Sequence, residues 1–361
     1  MFTFHVVSLP HTQSTRAYSN CAFTDLLRKF CDMMTSLGHR VVLYASEDND
    51  AACDELVTCI TKKEQADLIG VTGPENILRV RYEENLPYWQ LFHQRVVEGL
   101  RARVEQRDFV CLASGWCQRT IAEAFPQIIV EPWVGYMGTA HERTHQVFPS
   151  HTWQHMVYGR WYGQDSGFQG RFYDRVIPHY YEVENFPYVE DKDDYFCFVG
   201  RLNPDKGVGI ADLVAKELGV RLVVAGQGSA LPTGDHIDYR GLVGPEERAE
   251  ILSHARASFA PTLYCEPFGL VVPEASLCGT PIITTDWGAF PETVDHGVSG
   301  FRCHNLAEFI HAARIAGDLD PADCRAKGMQ YDQERIKYDY DRYFRDLSKL
   351  WRDGWYEKEV A

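Results

Sequence analysis

The residues best suited to chemistry lie in Glu266-Pro-Phe-Gly-Leu-Val-Val-Pro-Glu274, where two carboxylates flank the junction of a strand and a helix. In an open parallel sheet, ligands gather at the carboxyl ends of the strands, where this turn falls. The expected helix runs over Phe268–Cys278. Its first N–H groups, those of Gly269, Leu270 and Val271, have no intrahelical acceptor and lie along the helix dipole, a setting that favours an anion. At helical rise, Glu266 and Glu274 stand roughly 12 Å apart, the span of a diphosphate with a ribose at one end and a hexose at the other. Read alone, the pair is equally a first-turn glutamate balancing the dipole and a second on a solvated face.

A companion segment, Gly200-Arg-Leu-Asn-Pro-Asp-Lys206-Gly207, leaves the same sheet edge. Arg201 and Lys206 would face the helix start, and two cations there suit a departing diphosphate whose charge grows as its bond breaks. In isolation the segment also reads as a surface turn opened by Pro-Asp.

The elements that must hold these residues alternate regularly. Tyr195 to Val199 forms a strand, Val208 to Leu218 a helix and Arg221 to Ala225 a strand. Helix Glu246 to Ala257 and strand Ser258 to Pro261 follow, then strand Pro281 to Thr285 and helix Leu306 to Ala316. The first half opens with strand Phe4 to Leu9, a helix through Phe23, Leu27, Phe30, Met34 and Leu37, and strand Arg40 to Ala45. Helix Pro87 to Glu105 and strands Phe109 to Ala113 and Ile128 to Val130 complete it. Strands spaced by helices imply α/β architecture with parallel sheets covered on both faces. Periodicity fails between Tyr180 and Asp194, where proline and acidic residues accumulate, so a linker over 179–194 is expected between domains 1–178 and 195–335.

In register, these segments resemble glycosyltransferase family 4, retaining enzymes of the GT-B fold. Gly200-Arg-Leu…Lys206-Gly207 is similar to its phosphate motif, and Val223-Val-Ala-Gly-Gln-Gly228 to its second strand and turn. Glu266 with Glu274 is similar to its signature, and Gly288-Ala-Phe-Pro-Glu292 with Gly300-Phe301 to its closing elements. The resemblance implies two Rossmann-like domains around a cleft, with the donor bound by the second. Arg201 and Lys206 would bind the diphosphate, Glu266 the hexose hydroxyls and Glu274 the ribose. Gly200, Phe268, Gly269, Leu270 and Val271 would line sugar and phosphate. Anomeric configuration would be retained and no metal needed. The donor, on family frequency, would be a UDP-sugar; the acceptor is left open among glycan, small molecule, protein and nucleic acid, as is the oligomeric state. The last helix would return to the first domain over 336–361, matching the apolar stripe Tyr340, Tyr343, Phe344, Leu347, Leu350 and Trp351. The first half departs from the family: Glu131-Pro132 stands where a histidine is usual, leaving Glu131 and His141 as acceptor-side candidates that serve equally well as buried structural groups.

Composition narrows the rivals. A net charge of −15, with 51 acidic against 36 basic residues, argues against a general nucleic-acid binder. Arg95, Arg101, Arg103 and Arg107 read as a solvated helix face. No apolar run reaches the ~18–20 residues of a membrane span, the start lacks a signal-peptide pattern, and the eleven cysteines fall in no pairing pattern, so reduced thiols and a cytoplasmic location are expected. His141-Glu142-Arg-Thr-His145 matches a zinc-hydrolase pattern but sits between Gly138 and Pro149, too short for a stable helix. Asp48-Asn49-Asp50 reads as a loop, and Gly226-Gln-Gly228 lacks the third glycine of a dinucleotide fingerprint. A nucleotide-sugar epimerase, a phosphorylase or a silent sugar-nucleotide binder would share the fold.

Overall fold

The structure, a computed structural model, describes residues 1–70, 73–75, 80–162 and 170–350. The chain forms two compact units. The first comprises Met1–Pro149, Val157–Ile177 and Glu334–Ala361; the second comprises Ser150–Met156 and Pro178–Gln333.

In the first unit the strands are β1 (Thr3–Val7), β2 (Arg40–Ser46), β3 (Glu55–Ile60), β4 (Phe109–Leu112), β5 (Ile128–Glu131), β6 (His145–Phe148) and β7 (Arg175–Val176). Among the described residues they make one parallel sheet in the order β3-β2-β1-β4-β5-β6-β7. Helices cover both faces, which is why β2 and β4 read as unbroken apolar runs rather than alternating ones. The sequence reading misses β3, β6, β7, helices Arg119–Ala124 and His151–Tyr162, and helix Lys62–Ile69. This last helix carries its own signature: Thr61 and Glu64 form a reciprocal capping box.

The apolar stripe near the end of the chain forms helix Gln333–Leu347, which belongs to the first unit from Glu334 onward. The Phe344 ring packs edge-on against Phe4 at 4.5 Å between centroids and against Phe109 at 5.0 Å. The buried Tyr340 donates its hydroxyl to the Pro132 carbonyl at 2.6 Å. The return of this helix to the first domain is as the GT-B resemblance implies. Trp351 lies outside the described residues.

The second unit contains β8 (Asp193–Val199), β9 (Arg221–Ala225), β10 (Ile237–Gly241), β11 (Ala255–Ala260), β12 (Ile282–Thr285) and β13 (Gly300–Cys303). Their parallel order is β10-β9-β8-β11-β12-β13. The first six strands of the other sheet have the same winding, that of a dinucleotide-binding sheet, whose order reverses beside its first strand. Here the reversal falls between β8 and β11.

The segment expected as a linker is part of this unit. Tyr181 and Phe186 are buried in its core, and Tyr181 exchanges backbone hydrogen bonds with Tyr331 and Gln333. The acidic and proline residues mask these aromatic anchors in the composition. The helix expected to end at Ala257 ends instead at His254, and β11 begins at once with Ala255.

Candidate donor site at the sheet reversal of the second unit

The loops after β8 and β11 flank the reversal, and they carry the two motifs. Lys206 closes a short turn, Pro204–Lys206, and its Nζ meets Glu266 Oε2 at 2.6 Å. The same ammonium lies 5.0 Å from the centre of the Tyr264 ring. Burial works against the Lys206 charge, but the Glu266 carboxylate and a hydrogen bond to Tyr264 outweigh it and hold the lysine above its ordinary pKa. A buried carboxylate thus comes with its own counter-ion at the strand terminus.

Glu274 stands on helix Val271–Leu277. It is buried and paired with Arg248, Nη2 to Oε1 at 3.3 Å. Arg248 comes from helix Pro245–His254 and belongs to no motif seen in the sequence, which is why the reading missed it. Tyr264 was missed for the same reason.

The helix starts later than its periodicity implies, at Val271 and not at Phe268. Gly269 takes φ +81, a left-handed conformation through which a right-handed helix does not propagate. Glu266 is therefore on the preceding loop, and the axial spacing estimated for a continuous helix does not apply. The helix start has no side-chain cap. Val272 N–H already donates to the Gly269 carbonyl, so the donors ahead of it are those of the glycine turn itself.

Other expected residues fall differently. Gly200 sits at the end of β8, its N–H on the Ala225 carbonyl at 3.0 Å. Arg201 is exposed, and among the described residues no ion pair of its side chain is found. The Phe268 ring is in the core against His179 and Tyr331, at 4.9 and 5.4 Å, leaving only its backbone for a ligand. Leu270 and Val271 are half-buried.

In the first unit, Glu131 ends β5 and is buried. Its Oε1 accepts hydrogen bonds from Thr139 Oγ1 and Thr144 Oγ1, both at 2.6 Å, and from Ala140 N at 2.8 Å. Burial pushes its pKa up to about 7 against the pull of those donors. This carboxyl organises the loop 139–144. His141 lies on that loop, partly exposed, its Nδ1 accepting from Arg143 N at 3.1 Å.

The zinc-hydrolase pattern is contradicted. His141 to Thr144 form a turn and His145 begins β6, so the two histidines share no helix face. Asp48 pairs with Lys62, and Asp50 accepts from Arg16 N, as a surface loop would. The arginines read as a solvated face are partly engaged: Arg95 grips Glu64 with both terminal nitrogens, at 2.7 and 2.8 Å, and Arg103 holds Glu55 at 2.6 Å.

The second unit is thus a doubly wound sheet with carboxylates and cations at its reversal, and its fold is that of the GT-B class. Residues 182–313, all within the second unit, match the family model described as Glycosyl transferases group 1. D-inositol 3-phosphate glycosyltransferase of Mycobacterium sp. (strain KMS) is 30% identical over 160 residues, 40% of this chain and 36% of the relative. The chain thus matches little more than a third of that relative's length. Among solved structures, sucrose-phosphate synthase of Thermosynechococcus elongatus is 17% identical, with a TM-score of 0.67 over 96% of this chain and 99% of the other. Anabaena HepE in complex with UDP and glucose is 14% identical, with a TM-score of 0.64 over 97% and 100%. These likenesses span both units and give the fold.

Proposed function

We propose that the protein is a retaining glycosyltransferase that moves a hexose from a nucleoside diphosphate sugar to an acceptor hydroxyl, without a metal. The observation that carries this reading is the Lys206–Glu266 pair beside the uncapped helix start, within the stretch that matches the glycosyltransferase family. Glu266 would accept hydroxyls of the hexose. Lys206, Arg201 and the N–H groups from Gly269 to Val271 would meet the charge that grows on the leaving diphosphate. Glu274, its orientation fixed by Arg248, would accept the ribose hydroxyls. With fixed cations and peptide dipoles supplying that charge, no divalent ion is required. In a retaining reaction the acceptor attacks the face that the diphosphate leaves, and its proton passes to the departing phosphate oxygen.

A UDP-sugar is the proposed donor, supported by the UDP and glucose bound to the structurally similar HepE. The acceptor is proposed to bind the first unit. Eleven free thiols accord with work in a reducing, cytoplasmic setting. Among the described residues no helix is long and apolar enough to cross a membrane.

Calorimetry with UDP-glucose, GDP-mannose and ADP-glucose identifies the donor. Donor turnover after exhaustive EDTA dialysis, with the product anomer read by NMR, tests the rest. Unchanged activity and a retained anomer are expected. Loss of activity restored by manganese, an inverted anomer, or conversion of the sugar while still bound to the nucleotide (an epimerase) would each overturn the corresponding part.

A further inference from the structure

Ser150–Met156 belongs to the second unit although the chain on both sides belongs to the first. The segment opens helix His151–Tyr162, and all three leading N–H donors of that helix are taken. Trp153 N donates to Ser150 Oγ at 3.0 Å. His151 N and Thr152 N donate to the two oxygens of Glu292 at 2.9 and 2.8 Å, and Thr152 Oγ1 adds a third bond at 2.8 Å. Ser150 is thus an N-cap, but its hydroxyl does more than cap. The buried Oγ donates its own proton to the carbonyl of Pro267 at 2.7 Å, one residue beyond Glu266.

Glu266 itself is held by the element that carries Glu292. Ala289 N donates to the Glu266 carbonyl at 2.9 Å. Gly288 comes so close that a Cβ on it would stand 2.6 Å from Glu266 N. The contacts form a closed ring: Glu266 to Ala289, along helix Phe290–Thr293 to Glu292, across to His151 and Thr152, back through Ser150 to Pro267. Inside that ring the carbonyls of Glu266 and Pro267 are both held, and the Glu266 carboxylate meets Lys206.

We propose that Ser150 is a positioning residue for Glu266, with Glu292 holding Ser150 in place. Ser150 acts through the Pro267 carbonyl and reaches no substrate itself. The inference rests on the reading that Glu266 contacts the transferred sugar. Because the reacting sugar tolerates little displacement of an oriented polar group, loosening the loop should lower turnover while sparing the diphosphate.

The test compares Ser150→Ala, Ser150→Thr, Glu292→Gln and the double variant. It uses acceptor-free hydrolysis of UDP-glucose, UDP affinity by calorimetry, and amide exchange over residues 268–272. Ser150→Ala is expected to lower kcat about tenfold, leave the UDP Kd within about twofold and speed exchange across that segment. Ser150→Thr, which keeps the hydroxyl, should restore both. Glu292→Gln should act in the same direction, and the double variant should be no worse than the more damaging single one, as residues of one linkage behave. Wild-type exchange in Ser150→Ala overturns the proposal, as does a UDP Kd that rises in step with the fall in kcat. Glu266→Ala separates the two claims. If it abolishes hydrolysis while Ser150→Ala does nothing, positioning by Ser150 fails alone. If Glu266→Ala leaves hydrolysis intact, the role given to Glu266 fails, and exchange still decides whether Ser150 holds the loop.

Discussion

Substituting Glu266 by Gln keeps the shape of the side chain and removes its charge, and the structure gives this change opposite signs for binding and for turnover. At the 2.6 Å of the Lys206–Glu266 pair and an effective dielectric of about 20, the gross attraction is about 6 kcal/mol. Desolvation and the water each ion forgoes reduce the net worth of such a charged hydrogen bond to about 1.5–3 kcal/mol. In the free protein Glu266 therefore spends much of the charge of Lys206. A bound diphosphate must compete for that ammonium. In Glu266→Gln the competitor is neutral, so UDP should bind about tenfold tighter, equivalent to about 1.4 kcal/mol. Turnover should fall roughly 10²-fold, because an oriented group at the reacting sugar is lost. Lys206→Met should weaken UDP binding. Isotherms for UDP and initial rates for the sugar donor measure both quantities on the same samples. If Glu266→Gln weakens UDP as much as Lys206→Met does, Glu266 serves the diphosphate and not the sugar, and the arrangement of ligand along this turn is reversed.

Three further outcomes are expected. Glu274→Ala, which leaves Arg248 without its buried partner, should weaken UDP by about 1–3 kcal/mol in calorimetry and reduce donor affinity to the same degree. Gly288→Ala adds a Cβ 2.6 Å from Glu266 N at φ +62; it should cost at least about 1–3 kcal/mol in urea unfolding and lower turnover. Glu131 has a folded-state pKa raised to about 7, above its unfolded value. The neutral carboxyl therefore stabilises the fold below about pH 4.5, and this contribution is lost as pH rises through 7. Glu131→Gln should remove that slope, gaining stability on the wild type by up to about 3 kcal/mol between pH 5 and 8, read from denaturant midpoints.

The second unit was more legible than the first because its punctuation is local. Helix Val208–Leu218 and strand Arg221–Ala225 coincide with their expected bounds, since glycines at 207 and 219 bracket the helix on both sides. β10, whose residues Ile237-Asp-Tyr-Arg-Gly241 are half-buried or exposed, sits at the sheet edge and lacks an apolar run to betray it. β13 has four residues, too few to show a period. Glu266, Glu274 and Lys206 stand out in the sequence by charge type around a strand end, although the helical spacing read for the two glutamates does not hold. Their partners do not: Arg248 and Tyr264 meet them only through folding, and no motif encodes those contacts. Phe268 misled because an aromatic within a motif looks like a ligand wall, whereas here the ring anchors the motif to the core.

The helix that ends the described chain has a consequence for the order in which the protein is made. Phe4 and Phe109, from the first and fourth strands, pack against Phe344, and the aromatic cluster they share is incomplete until the last helix exists. On the ribosome the segments of the first unit emerge early, yet the aromatic face that Phe344 covers stays open while residues 178 to 333 are synthesised. The second unit, made of Ser150–Met156 and that stretch, is complete in sequence before the last helix emerges. The domain begun first is thus finished last. Until then it presents an apolar face in the shape of the Tyr340–Phe344 wedge, a surface for chaperones to shield during synthesis.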